Sequence, residues 1–159
     1  MVTSRLRPLD LKLFFEDRPY KLGETIDLTT ELDARSDVEV REGRVDLVCE
    51  ARWTEIYTIM VPAATRASPV GGTISIPPKI PKQVSKEHRE TFVHSSVVFL
   101  QDTRLDSSTR GSYRVSLEIE PESPPHAAEA TVKWMLVAAI DVARARDIKT
   151  RRAVKVTID

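Results

Sequence analysis

The side chains in this sequence with the most chemistry to offer are three histidines (His88, His94, His126), one cysteine (Cys49) and the adjacent serines Ser95 and Ser96. A metal centre would need several of them at one point. His88 and His94 share a strand face, but at about 3.3 Å per residue they stand roughly 20 Å apart, too far for one ion. His126 falls among prolines in a connecting loop. Solvated or locally hydrogen-bonded imidazoles are therefore expected, with no metal ligands. Ser95 and Ser96 follow His94 closely, yet neighbours along a strand point to opposite faces and build no nucleophile and base pair. The chain contains no GxSxG, HExxH, CxxC, GxGxxG or GxxxxGK[ST] element. Glu118, Glu120 and Glu122 repeat with period two, as a solvated outer sheet face does. The expectation is no catalytic residue, no cofactor and no metal site, hence no enzyme.

Cys49 cannot form an internal bridge. It shares a face with Val45, Leu47, Ala51 and Trp53, and reads as a small buried hydrophobe. The sequence has 24 basic and 24 acidic residues. Their distribution is uneven: residues 16 to 50 hold eleven carboxylates against five basic groups, while 144 to 155 hold six basic groups opposed only by Asp147. Nucleic acid is not an expected ligand, because the basic run Arg144, Arg146, Lys149, Arg151 and Arg152 contains no aromatic and the acidic third opposes a phosphate surface. No signal-like apolar run and no membrane-length window occurs, so a cytoplasmic protein without integral membrane association is expected. Asparagine is absent and glutamine occurs only at Gln83 and Gln101, a depletion that fits a hot-growing or GC-rich source.

The elements that must position these residues are strands. Gly111 to Val142 organises the chain. Tyr113, Val115, Leu117 and Ile119 alternate with Arg114, Ser116, Glu118 and Glu120. Val132, Trp134, Leu136, Ala138, Ile140 and Val142 follow on one face of a second strand. That strand is apolar on both faces at its middle, as a central strand is. Leu9 to Phe15, Thr25 to Leu32, Arg44 to Thr54, Thr91 to Leu100 and Ala153 to Ile158 show the same alternation, and Glu55 to Val61 either continues the third strand or forms another. Asp33 to Asp37, Gln101 to Arg110 and Arg144 to Arg152 read as connections. Gly23, after Tyr20-Lys21-Leu22, sits where a positive φ would be free of cost.

Seven to nine strands and no competing helix predict an all-β immunoglobulin-like antiparallel β-sandwich, one domain over residues 1–159. Leu11, Leu13, Ile26, Leu28, Val45, Leu47, Trp53, Val115, Leu117, Trp134, Leu136 and Ile140 are its expected core. Residues 62–86 change character: five prolines and Gly71-Gly72 predict a mobile insertion or an edge extension, with a short strand around Thr73 to Ile76. Within it, Pro78-Lys79-Ile80-Pro81 is a PxxP match compatible with polyproline II.

In their order, Tyr20 to Glu24, then Gly111-Ser112-Tyr113 to Ile119, then Pro121 and Pro124-Pro125, then Val132 to Asp141 resemble the arrestin-like superfamily. That superfamily includes arrestins, alpha-arrestins, the retromer subunit of the same fold and bacterial sporulation-control proteins. The resemblance implies an arrestin-like sandwich serving as a non-enzymatic adaptor or scaffold. The sequence departs from the pattern in three respects. Arrestins carry two such domains and this chain has room for one. Glu16-Asp17 stands where receptor-binding arrestins have paired lysines, and no PPxY motif occurs. The expected function is protein–protein interaction with a protein partner, a second copy included. The alternatives are a carbohydrate-binding module, for which the aromatic supply is short with Trp53 and Trp134 both read as core, or a small enzyme whose site leaves no motif.

Overall fold

The computed structural model describes residues 7–62 and 78–158. Eight strands follow one another: β1 (Leu9–Phe15), β2 (Pro19–Lys21), β3 (Thr25–Ala34), β4 (Val38–Pro62), β5 (Lys79–Leu105), β6 (Arg110–Glu118), β7 (Thr131–Val142) and β8 (Ile148–Thr157). They form a three-stranded sheet, β1-β3-β6, and a five-stranded sheet, β2-β8-β7-β4-β5. The all-β sandwich expected from the alternation is the fold observed. Pairing is antiparallel except for β2, which lies parallel to β8.

Period-two rows from the two sheets meet in the core. Ile26, Leu28, Val115 and Leu117 of the small sheet share one buried cluster with Val45, Leu47, Cys49, Trp134 and Leu136 of the large one. A second cluster gathers Leu9, Leu32, Val38, Val40, Leu105, Ile140 and Ile148. Deleting a fully buried leucine from such a core costs about 2–5 kcal/mol, because the lost transfer energy is compounded by the void. Of the twelve expected core residues, Leu11 and Trp53 are only half-buried.

The Tyr20 to Glu24 turn is built as its residues require. Gly23 adopts φ +87° and its N–H donates to Ile119 O at 2.9 Å. The Tyr20 hydroxyl donates to Glu16 O at 2.7 Å. Glu24 accepts from Lys21 N–H at 3.1 Å and from the Arg18 guanidinium at 3.2 Å, which lowers its pKa.

Several boundaries differ from the sequence reading: β3 runs on to Ala34, β4 begins at Val38 and takes in Glu55 to Val61, and three further stretches change. Gln101 to Leu105 continue β5, so the connection to β6 is confined to residues 106–109. Ile148 to Arg152, read as a charged connection, pair with Ile140 to Leu136 of β7. Arg152 occupies the same row as Val154 yet is exposed: its guanidinium reaches across to Leu13 O at 3.3 Å and lies 5.7 Å from the Phe15 ring, at the open side of the sandwich. A charged residue can thus sit in a core-facing row where the facing sheet ends. Last, Lys79 to Lys86 of the proline-rich stretch take the edge-extension form. They are strand, including Lys79-Ile80-Pro81 of the PxxP match, while Thr73 to Ile76 lie outside the described residues. Pro81 is tolerated because β5 is the outermost strand of its sheet.

Candidate functional site

β4 and β5 outrun the sandwich. β4 is paired on one side with β7 only as far as Arg52↔Thr131, whereas its pairing with β5 runs on to Pro62↔Lys79. From Trp53 outward the two strands therefore form a ribbon whose outer edges have no strand partner among the described residues. Two-stranded ribbons are marginal in water when nothing supports them.

Among the described residues, five of the eight exposed large hydrophobic residues lie on the ribbon, the others being Phe14, Val93 and Val98. Ile56 is 69% exposed, Met60 57% and Ile80 47%, and Tyr57 and Ile59 are exposed as well. The cross-strand pairs Tyr57↔Val84, Ile59↔Lys82 and Val61↔Ile80 lie on the face that continues the core side of β4, and Ile56 and Met60 lie on the other. Residues 56–62 and 79–86 contain three lysines, Lys79, Lys82 and Lys86, and no carboxylate. The tip is thus apolar on both faces and positively charged. Exposed apolar patches of this kind mark surfaces that other molecules cover.

At the base of the ribbon stands Trp53. Its ring stacks with His88 at a centroid distance of 5.2 Å and with His126 at 4.2 Å. Each imidazole faces a carboxylate: His88 Nε2 lies 2.7 Å from Glu55 Oε2, and His126 Nε2 lies 3.9 Å from Glu90 Oε2. His126 reaches the indole from the turn after the proline pair, where its own φ is +63° and its carbonyl accepts from Glu129 and Ala130. Sequence reasoning placed Trp53 in the core and left the histidines apart. The inward row of β4 loses its opposing sheet after Ala51, so the indole is covered by imidazoles instead. The stacking follows from the long-range placement of the 121–130 loop, for which no local pattern in the sequence gives a signal.

The other chemical candidates serve the framework. The Ser95 hydroxyl accepts from Glu120 N–H at 3.0 Å, and His94 Nε2 lies 2.9 Å from Glu120 O with its ring edge-on to Trp134. Ser96, on the other face, donates to Asp46 at 2.5 Å. Glu50 accepts from Arg52 and Arg89, and both hold its pKa down. Cys49 is fully buried, and burial pushes its thiol up to about 11. Among the described residues no three His, Cys, Asp or Glu side chains are grouped to hold a metal ion, and no helix is long and apolar enough to cross a membrane.

No family model matches the sequence, and no curated protein matches it. Among solved structures the chain is similar to Spo0M, a sporulation control protein from Bacillus subtilis. The TM-score is 0.65 at 12% identity, over 95% of this chain and 50% of that one. The chain thus spans about half the length of Spo0M. At this identity the likeness is one of fold, and it is the arrestin-like sandwich to which the motifs pointed.

Proposed function

We propose that this arrestin-like sandwich is a non-catalytic protein-interaction module whose recognition surface is the projecting β4–β5 ribbon. The observation that carries the reading is the concentration of exposed Ile56, Tyr57, Ile59, Met60 and Ile80 on two strands that leave the body of the fold. A partner that buries this tip gains apolar contact area and a strand edge at once. The three tip lysines select for an acidic rim on that partner. The shifted titratable groups add support, since Glu24 and Glu50 are tied into ion pairs and Cys49 and Tyr20 owe their raised values to burial. A carbohydrate platform is disfavoured because two imidazoles already stack on Trp53 and Trp134 is buried.

The test is affinity capture from the native host with the intact chain and with the double variant Ile56→Ser/Met60→Ser. Both side chains are exposed, so the variant keeps the fold. Loss of one specific partner in the variant is the expected result. Capture of the same partners by both chains, or of none by either, counts against the ribbon.

A further inference from the structure

β5 is the outer strand of the five-stranded sheet, and its second edge has no strand partner among the described residues. We infer that this edge pairs with the same edge of a second copy of the chain, antiparallel about a two-fold axis through His88. The inference goes beyond the proposed reading: it uses the edge of β5 and neither Ile56 nor Met60, so the two fail separately.

The sequence of β5 matches itself in one register. In an edge-to-edge pair related by a two-fold axis normal to the sheet, a residue lies opposite the one equally far on the other side of the axis, and side chains on one face meet their like. With His88 on the axis, Glu87 faces the partner's Arg89 and Lys86 faces the partner's Glu90. Ser85 then faces Thr91, and Val84 faces Phe92. Each relation occurs twice. The result is four opposite-charge pairs, two hydroxyl pairs and two apolar pairs along one ladder, all of the kinds that favour cross-strand pairing. Moving the axis by one residue destroys the match. On Glu87 it sets Val84 against Glu90 and Lys82 against Phe92; on Arg89 it sets Lys86 against Phe92 and Val84 against His94.

The two ends of this ladder also agree. His94 is skipped where Leu47 pairs with Ser95 and Val48 with Val93, so β5 is irregular there. In the proposed register His94 falls opposite the partner's Lys82, next to Pro81, which has no N–H to donate. The irregularity of one copy and the proline of the other close the ladder at the same place, leaving Gln83 to Val93 to pair.

The groups involved are accessible. Lys86, Glu87, Arg89 and Glu90 are all exposed, and among the described residues Lys86 and Glu87 form no ion pair. Arg89 also contacts Glu50, and its five N–H donors allow a second carboxylate. Pairing joins the two five-stranded sheets into one and lays each unsupported ribbon alongside the partner's sandwich. It answers the need set by two strands that leave their own sheet at Arg52, and it would present two apolar tips from one assembly.

The experiment is sedimentation of the purified chain at tens of micromolar, with circular dichroism as the check on folding. The wild type should be a dimer. Glu87→Arg sets like charges opposite Arg89 twice and should weaken dimerisation about tenfold or more; Glu87→Arg/Arg89→Glu should restore it. The register is read by oxidation of His88→Cys, which should cross-link two copies through the axis, where facing Cα atoms lie within disulfide reach. Lys86→Cys should not cross-link, and buried Cys49 cannot compete. A monomeric wild type overturns the inference, as does a dimer indifferent to Glu87→Arg or one cross-linked equally by both cysteine variants. A monomer whose Ile56 and Met60 still govern capture leaves the recognition reading standing, so the two failures are distinct.

Discussion

Trp53 and His126 stack with ring centroids 4.2 Å apart and planes inclined by 14°, although one belongs to β4 and the other to the turn between β6 and β7. This contact ties the 121–130 loop to the point where the ribbon leaves the body of the fold. From this position it braces the base of the projecting element.

His126→Ala should therefore lower stability by about 0.5–1.5 kcal/mol, the range for an aromatic pair beyond its buried area. It should also shift the tryptophan emission to longer wavelength as the indole gains water. The measurement is urea denaturation followed by fluorescence, with Trp53→Phe to remove the contribution of this ring. An unchanged emission maximum in His126→Ala would mean that the imidazole does not shield Trp53.

Gly23→Ala isolates a backbone effect. The added Cβ would meet Pro121 at 3.8 Å, an ordinary contact, so space is not the obstacle. A side chain at φ +87° carries the left-handed penalty of about 1–2 kcal/mol. The expected outcome is a destabilisation of that size in urea, with the strand signature in circular dichroism unchanged.

How far the sequence disclosed this depends on the range of the interaction concerned. Val45, Leu47, Cys49 and Ala51 follow a period of two because both layers cover them, and Gly23 announces its own turn; such features are local and were legible. Trp53 continues the same period and still leaves the core, since the row carries no mark of where the opposite sheet stops. Arg152 misled in the other direction, as a charge in an inward row. The ribbon was legible in part: Glu55 to Val61 reads as a continuation of the third strand and residues 62–86 as an insertion or an edge extension, but the pairing of Lys79 to Lys86 with Glu55 to Pro62 depends on residues far along the chain. The convergence of His88 and His126 on one indole is likewise a product of topology.

Cys49 gives a pH-dependent prediction with a defined sign. Burial raises the thiol from an ordinary 9.0 to about 11, so the folded state holds its proton more tightly than the unfolded state. This contribution is fully present below pH 9 and is lost as pH rises towards 11. Cys49→Ala should flatten that alkaline part of the stability profile, and the native wild type should resist alkylation at pH 8 until denaturant is added. Rapid alkylation of the folded protein would contradict the burial that sets the shift.

Ile56 and Leu47 lie on the same strand and should respond in opposite ways. Leu47 is fully buried in the cluster shared by both sheets, and Leu47→Ala should cost about 2–5 kcal/mol. Ile56→Ser removes an apolar side chain that is 69% exposed, and a surface change of this kind stays within about 0.5 kcal/mol. What Ile56→Ser should change is the surface itself. With Met60→Ser it removes the apolar side chains from one face of the ribbon tip, so binding of a hydrophobic dye by the native protein should fall while the urea midpoint holds. A lowered midpoint would show that Ile56 and Met60 are covered in solution and serve stability. Reduced dye binding at constant stability is the behaviour of a surface kept apolar for a partner, at a cost in solubility that the fold itself does not require.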